Sequence, residues 1–373
     1  MNRLIFNLHL FVALVAGVFV MILGFTGAIM AFENELGELF HAGRVFVKPE
    51  AKQMTLAEVG TIASNAFPGE RIRGFRIPTR PNRSFGVATA RRTVYVNGYT
   101  GKILGVQTGP DAVANILGAI HQLHLRLLIS NKADTGKELI RWSGVGMLFL
   151  LVSGLYLWWP QKRWWVRDWH AQAWASRSFW FDLHSTIGIF STAFLLILAI
   201  TGVAIGFERQ TMSVFKRMTG TGPVYPPSVK VSPPPDTKPI APDQAFAIAR
   251  AALPGAAPFD LSIPGPSGVY TVRSRYPEDL TGGGRSLVVI GQYDGKVLFA
   301  QGSRTAPASV RMLTLNRALH TGDIFGLPSK VLMSTASLAA AFQMMSGVIM
   351  LWKRKLRKTV PQENARPVKD CQV

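Results

Sequence analysis

Four long apolar runs divide the sequence and alternate with more polar stretches. They cover residues 8–32, 142–159, 183–207 and 331–352, and the first two contain no charged side chain. A helix needs about 20 predominantly apolar residues to cross the hydrocarbon core of a bilayer. The pattern therefore predicts four transmembrane helices. A cleaved signal peptide is disfavoured for the first run, because no clear small-x-small cleavage site follows it.

The two long polar segments, residues 33–111 and 208–310, have the pattern of small α+β domains. Each begins with an alanine-rich amphipathic stretch that predicts a helix, over residues 55–67 and 242–253. Short runs of strand-forming residues then predict antiparallel strands at 71–77, 85–89, 93–96, 103–106, 268–272, 286–290 and 297–300. Residues 112–130 form an amphipathic segment, which predicts a helix along the membrane interface.

The two halves of the chain repeat one another. Matching residues recur at offsets that grow from 175 to 196: Leu8-His9 with Leu183-His184, Thr26-Gly27 with Thr201-Gly202, Phe32-Glu33 with Phe207-Glu208, Gly101-Lys102 with Gly295-Lys296, and Leu123-His124 with Leu319-His320. Loop insertions after a duplication would produce such a growing offset. We therefore predict a membrane α-helical fold, a four-helix transmembrane bundle of two pseudo-symmetric repeats, each with an α+β module outside the membrane.

Composition and charge narrow the class of protein. Apolar residues make up 48% of the chain and charged residues 17%, which excludes a disordered chain and disfavours an ordinary soluble enzyme. The short basic segments 160–182 and 353–373 predict cytoplasmic sides, so both termini are expected in the cytoplasm. The net charge of +20 comes without a nucleic-acid recognition motif, so we expect no nucleic-acid partner. The single cysteine, Cys371, excludes a disulfide framework and a Cys-ligated iron–sulfur cluster.

The ordered set of motifs resembles the PepSY-associated transmembrane family of bacterial inner membranes. It consists of Leu-His near the start of a span, Thr-Gly and Phe-Glu at its end, a Gly-Lys hairpin, the Leu-Tyr-Leu-Trp-Trp-Pro end of the second span and the Leu-Trp-Lys-Arg end of the fourth. The resemblance covers residues 3–356 and implies that the α+β modules are periplasmic PepSY-like domains. Some members are similar to haem-containing ferric-siderophore reductases. The resemblance therefore implies an oxidoreductase acting on a ferric siderophore, with an electron donor that it does not identify.

Four of the seven histidines form two repeat-related pairs. His9 and His184 begin the first and third spans, and His124 and His320 precede the second and fourth. A pseudo-two-fold axis along the membrane normal would bring the members of each pair face to face. Two neutral imidazoles from different helices are what bis-histidine haem iron requires. Since no Cys-x-x-Cys-His motif is present, we predict two non-covalent haems b, one near each membrane face.

The other histidines leave alternatives open. His121 lies three residues before His124, on the same helical face, and is either the outer ligand or a hydrogen-bond donor beside it. His41 and His170 have no counterpart in the other half, so we expect them at the surface. Histidines near helix ends also serve as interfacial caps, which is the structural alternative to iron ligation.

Charged residues near the predicted outer haem are further candidates. Three arginines are placed to pair with haem propionates, namely Arg126, Arg141 and Arg317. Glu33 and Glu208 recur at the ends of the first and third spans, where they either cap the helix or line a substrate entrance.

The histidine pairs favour a transmembrane electron-transfer enzyme over two rivals. PepSY domains resemble protease propeptide inhibitors, so a non-enzymatic, membrane-anchored regulator is the main alternative. A transporter or haem-uptake component would need polar groups at the bilayer midplane, and the spans contain almost none.

Overall fold

The computed structural model describes residues 2–131, 134–159, 174, 176–226, 228 and 237–359, and for residues 355–359 it describes the backbone alone. His170, Cys371 and most of the two predicted cytoplasmic segments lie outside the described residues. The chain divides into two compact units. We call one the membrane unit (Met1–Ile29, Gln122–Gly206 and Leu332–Val373) and the other the sheet unit (Met30–His121 and Phe207–Val331).

The described residues form helices and one set of strands. The helices are α1 (Arg3–Met30), α2 (Glu33–Phe40), α3 (Ala42–Val45), α4 (Leu56–Ala66), α5 (Ala112–Arg126), α6 (Thr135–Trp158), α7 (Arg177–Gly206), α8 (Glu208–Thr219), α9 (Pro242–Ala252), α10 (Ala308–Thr321) and α11 (Leu327–Thr359). The strands are β1 (Ile72–Arg76), β2 (Phe85–Thr89), β3 (Thr93–Val96), β4 (Ile103–Gln107), β5 (Ala257–Ser262), β6 (Val269–Arg275), β7 (Ser286–Gly291) and β8 (Val297–Gln301).

The four helices α1, α6, α7 and α11 are long and apolar enough to cross a membrane. Each begins four to seven residues before its predicted apolar run, because helical hydrogen bonding includes the polar N-terminal flank, and α1, α6 and α7 end one or two residues before the run does. A buried apolar cluster draws residues from all four helices: Val20, Met147, Leu195, Ala199, Ala336 and Ala340. Small residues allow close contact, since a Cβ on Gly24 would lie 2.6 Å from the backbone oxygen of Ser337. These contacts make the membrane unit a four-helix bundle.

The sheet unit contains one antiparallel sheet of eight strands in the order β4-β3-β2-β1-β5-β6-β7-β8. We predicted two small modules, and the structure joins their strands through β1 and β5 at the centre. Phe75 of β1 pairs with Leu261 of β5. A Cβ on the neighbouring Gly74 would lie 2.6 Å from the carbonyl oxygen of Leu261, so this central pairing requires glycine.

One hydrophobic core serves the whole sheet. The helices α4 and α9 pack on it, and its most buried side chains are Val59, Val87, Val94, Leu261, Val272, Val288 and Ile290. Asp243, in the first turn of α9, accepts the backbone N–H groups of Leu56 and Ala57 at 2.8 Å each. A side chain of the second predicted module thus caps the helix of the first.

The predicted strands all occur, and the sequence pattern missed one. Strands β2 and β3 have the predicted bounds, and the others differ by one to three residues at an end. No strand was predicted over β5, which contains Pro258 and Asp260, residues that disfavour strands. Pairing on both sides, with β1 and β6, holds these residues in an extended conformation. The order of elements in the two halves is the same except for α3, which has no counterpart in the second half. Their relation by a symmetry axis stays a prediction.

Candidate functional site

His9 lies near the start of α1 and contacts a serine of another span. Its Nδ1 atom is 2.8 Å from the Oγ atom of Ser153, which is buried on α6. The next residue on α6 is Gly154, and a Cβ there would lie 3.5 Å from the Cε1 atom of His9. A serine therefore holds one edge of the imidazole, and a glycine leaves space along the ring.

His184 lies near the start of α7 and has the same kind of partner. Its Nδ1 atom is 2.8 Å from the Oγ atom of Ser346, which is fully buried on α11. The side-chain amide of Gln343 also donates to the backbone carbonyl of His184 at 2.9 Å. His184 is thus attached to α11 through both its ring and its backbone.

His9 and His184 come from different helices and occupy the same end of the bundle. They lie within electrostatic range of each other. The Ser153 and Ser346 contacts use the Nδ1 atom of each ring, and within the described residues no hydrogen bond or ion pair uses either Nε2 atom. This end of the bundle therefore presents two imidazole nitrogens from two spans, which is the donor set of a bis-histidine haem.

His124 lies at the opposite end of α1. Its Nδ1 atom is 2.8 Å from the Oγ1 atom of Thr26, and a Cβ on Gly27 would lie 3.2 Å from its Cε1 atom. Thr26 follows His9 by 17 residues, which is roughly 25 Å along the helix at 1.5 Å per residue. The two histidine sites on α1 are therefore separated by nearly the thickness of a hydrocarbon core.

His121 has a different partner from His124. Its Nδ1 atom is 2.9 Å from a carboxylate oxygen of Glu33, and both side chains are about one third exposed. Glu33 is in the first turn of α2, where it contacts this histidine instead of capping α1. The structure thus separates the two neighbouring candidates: His121 has an acidic partner, and His124 has a neutral hydroxyl partner.

His320 lies in the last turn of α10 and is partly buried. It belongs to the sheet unit, whereas His124 belongs to the membrane unit. The predicted pairing of these two histidines stays a prediction.

The three arginines proposed for propionates have different surroundings. The Nε atom of Arg126 is buried and has no hydrogen-bond partner among the described residues. Arg141 donates to the carbonyl of Gly206 at 2.9 Å and to the carboxylate of Glu138 at 2.6 Å. Arg317 is exposed on α10 and lies within electrostatic range of Arg285. Within the described residues, no hydrogen bond or ion pair joins it to a histidine. Of the three, Arg126 has the orphaned buried donor that an anionic group would satisfy.

Comparison with known families gives one match, and it covers nearly the whole chain. The family model described as the PepSY-associated TM region matches residues 6–354. The chain belongs to this family. No curated protein matches it significantly. Family membership and the four apolar helices together make this PepSY-associated protein a multi-pass membrane protein.

His41 of this PepSY-associated protein was expected at the surface, and that expectation was wrong. The ring is about four-fifths buried, with Nδ1 at 2.7 Å from the carbonyl of Gly37 and Nε2 at 2.8 Å from the carboxylate of Asp111. The backbone N–H of Ala114 and the guanidinium of Arg44 lower the pKa of Asp111 to about 2. With both ring nitrogens engaged, His41 links α2 to the start of α5 and is not free to bind iron.

The sequence pattern identified the histidines and missed the serines that contact them. Ser153-Gly154 and Ser346-Gly347 occur 193 residues apart, in the second and fourth spans. This spacing is close to the offsets of 194 and 196 of the Gly-Lys and Leu123-His124 pairs, although it is smaller than the offset that precedes it along the chain. A hydroxyl within an otherwise apolar span was the available signal, since polar groups in membrane helices seek partners.

Proposed function

We propose that this protein is an inner-membrane oxidoreductase that holds two haems b and reduces a ferric siderophore on the periplasmic side. Electrons enter from a donor in the cytoplasm or the bilayer. Both termini lie in the cytoplasm, and the sheet unit lies in the periplasm. The proposal builds on two findings: the chain belongs to the PepSY-associated family, and it is a multi-pass membrane protein.

The observation that supports the proposal best is the His9 and His184 site. Each imidazole comes from a different span, each has its Nδ1 atom against a buried serine, and each has its Nε2 atom on the remaining edge. Imidazole ligands of metals commonly have this arrangement, in which one nitrogen is held by the protein and the other binds the metal. His9 and His184 would hold the inner haem through its iron.

The second site supports a path across the membrane. His124 has the same kind of hydroxyl contact, roughly 25 Å away along α1. We propose His124, not His121, as a ligand of the outer haem, because Glu33 already binds the ring of His121. Arg126 would pair with a haem propionate through its buried Nε–H group, which has no partner among the described residues. His320 as second ligand and Arg317 as propionate partner stay predictions from the repeat.

The residues of the chain provide the setting for this chemistry. When bound, haem supplies a one-electron redox centre. The bundle core around Val20, Leu195 and Ala340 excludes water between the two ends. The recurrence of a histidine–serine contact in each half also supports two pseudo-symmetric repeats.

The choice of a ferric siderophore comes from the family resemblance. One electron converts the bound ferric ion to the ferrous state, which such chelators bind poorly, so reduction alone releases the iron. No acid–base pair is needed for this reaction. The sheet unit would provide the docking surface.

The absorption spectrum of the purified protein tests the proposal. We expect a Soret band, sharp α bands on reduction, and two haems per chain by pyridine haemochrome assay, followed by reoxidation on addition of a ferric chelate. Protein that is colourless after expression with ample haem would contradict the proposal and would favour the membrane-anchored regulator.

A further inference from the structure

The three hydroxyls that contact histidines already use their own protons. Ser153 donates to the carbonyl of Phe149 at 2.6 Å, and Thr26 donates to the carbonyl of Ile22 at 2.7 Å. Ser346 donates to the carbonyl of Gln343 at 3.0 Å. A hydroxyl has a single proton to donate, so with that proton on the carbonyl each of these oxygens acts as an acceptor toward its histidine.

This constraint determines which ring nitrogen carries the proton. An acceptor oxygen 2.8 Å from Nδ1 requires an N–H group at Nδ1. A neutral imidazole carries one proton, so Nε2 is left with a bare lone pair. The same deduction holds for His9 and His184, whose partners lie on α6 and α11.

We propose that Ser153 and Ser346 are positioning residues that hold His9 and His184 in the Nδ1–H tautomer. Each would then present an unprotonated Nε2 atom, the form in which imidazole binds a metal. The tautomer assignment stands on hydrogen bonding alone. Its use for iron ligation rests on the proposed function.

The two inner histidines differ in how strongly they depend on their serines. His184 has a second attachment, the bond from the Gln343 amide to its backbone. Leu150 occupies the corresponding position beside Ser153, at the offset of 193 residues, and cannot supply such a bond. We therefore expect the loss of Ser153 to disturb His9 more than the loss of Ser346 disturbs His184.

The full-length protein allows a direct test by ¹⁵N NMR of labelled histidine side chains in its haem-free form, because iron bound to Nε2 would itself hold the proton on Nδ1. Removing the hydroxyl in Ser153→Ala should shift the His9 tautomer ratio away from Nδ1–H by about fivefold, the equivalent of one hydrogen bond of roughly 1 kcal/mol. We also expect haem retention at that site to weaken by roughly 10- to 100-fold. Ser153→Thr keeps a hydroxyl and should restore both properties.

Ser143→Ala is the matched control. Ser143 is buried on the same helix and donates to the carbonyl of Leu139 at 2.6 Å. Within the described residues, no hydrogen bond joins it to a histidine. Its loss should leave the His9 tautomer and haem retention unchanged.

The outcomes separate this proposal from the proposed function. An unchanged His9 tautomer in Ser153→Ala would overturn the positioning role, even in a protein that binds haem. A tautomer shift in a protein that binds no haem would support the positioning role and contradict the proposed function. The positioning role would also be overturned if Ser143→Ala shifted the His9 tautomer ratio and weakened haem retention as much as Ser153→Ala does.

Discussion

The histidines of the membrane unit and those of the sheet unit have different hydrogen-bond partners. In the membrane unit, His9, His124 and His184 each contact a neutral hydroxyl. In the sheet unit, His41 and His121 each contact a carboxylate. His320 lies in the last turn of α10, in the sheet unit, and His170 lies outside the described residues.

This difference in partners separates two roles that one residue type can have. A carboxylate beside an imidazole joins two elements of the fold through its contact with the ring. A hydroxyl offers only a hydrogen bond to a neutral ring, which leaves the second nitrogen available as a ligand. The partner of a histidine is therefore a better guide to its role in this molecule than its position near a helix end.

The largest predicted effect is a difference in haem content between variants of the neighbouring residues His121 and His124. His124→Ala should remove one of the two haems, because it deletes a proposed iron ligand. His121→Ala should keep both, because it deletes only the partner of Glu33. Haem content per chain measures both variants. Loss of a haem from His121→Ala together with full retention in His124→Ala would reverse the assignment.

A smaller effect is expected from filling the space beside His124. In Gly27→Leu, the added Cβ would lie 3.0 Å from the Ser337 hydroxyl and 3.2 Å from the imidazole. Overpacking of this kind costs about 1–3 kcal/mol, so the haem held by His124 should bind roughly 5- to 150-fold more weakly. Haem transfer to apomyoglobin measures this loss.

Gly37→Leu is a suitable control for this substitution. Nothing lies within 4 Å of a Cβ at that position on α2. If both leucine variants kept haem equally well, the packing at Gly27 would not matter for the site.

The smallest effect concerns the carboxylate partner of His41. The pKa of Asp111 is lowered to about 2 in the folded state, against 3.8 for an unperturbed group. Its stabilising contribution is therefore complete above about pH 4 and lost as the pH falls toward 2. Asp111→Asn should lower the unfolding temperature at pH 7 without changing haem content, and the difference from wild type should vanish over that range. A difference that stayed constant from pH 7 to pH 2 would contradict the ion-pair role.

Much of the fold could be predicted because its signals are local. The four spans follow from uninterrupted apolar runs, and strands β2 and β3 follow from β-forming residues before and after a short turn. Strand β5 could not be predicted, because the residues around Pro258 and Asp260 become a strand only through pairing with β1 and β6. The joining of two modules into one sheet depends on the same long-range pairing.

The site could be predicted only in outline. The repeat singled out His9 and His184, since equivalent residues recur at equivalent positions. It gave no information on which side chains the rings contact, because those partners lie 144 and 162 residues away along the chain. His41 has no repeat counterpart, so its burial against Asp111 appears only in three dimensions.

The haem content of three variants tests most directly whether His9 and His184 hold one haem together. We expect His9→Ala, His184→Ala and the double variant each to retain one haem of two, because either ligand alone cannot hold the shared group. His41→Ala removes a histidine that only links elements of the fold, so this variant should retain both haems. A double variant that loses more haem than either single variant, or single variants that keep two haems with unchanged spectra, would contradict the shared site.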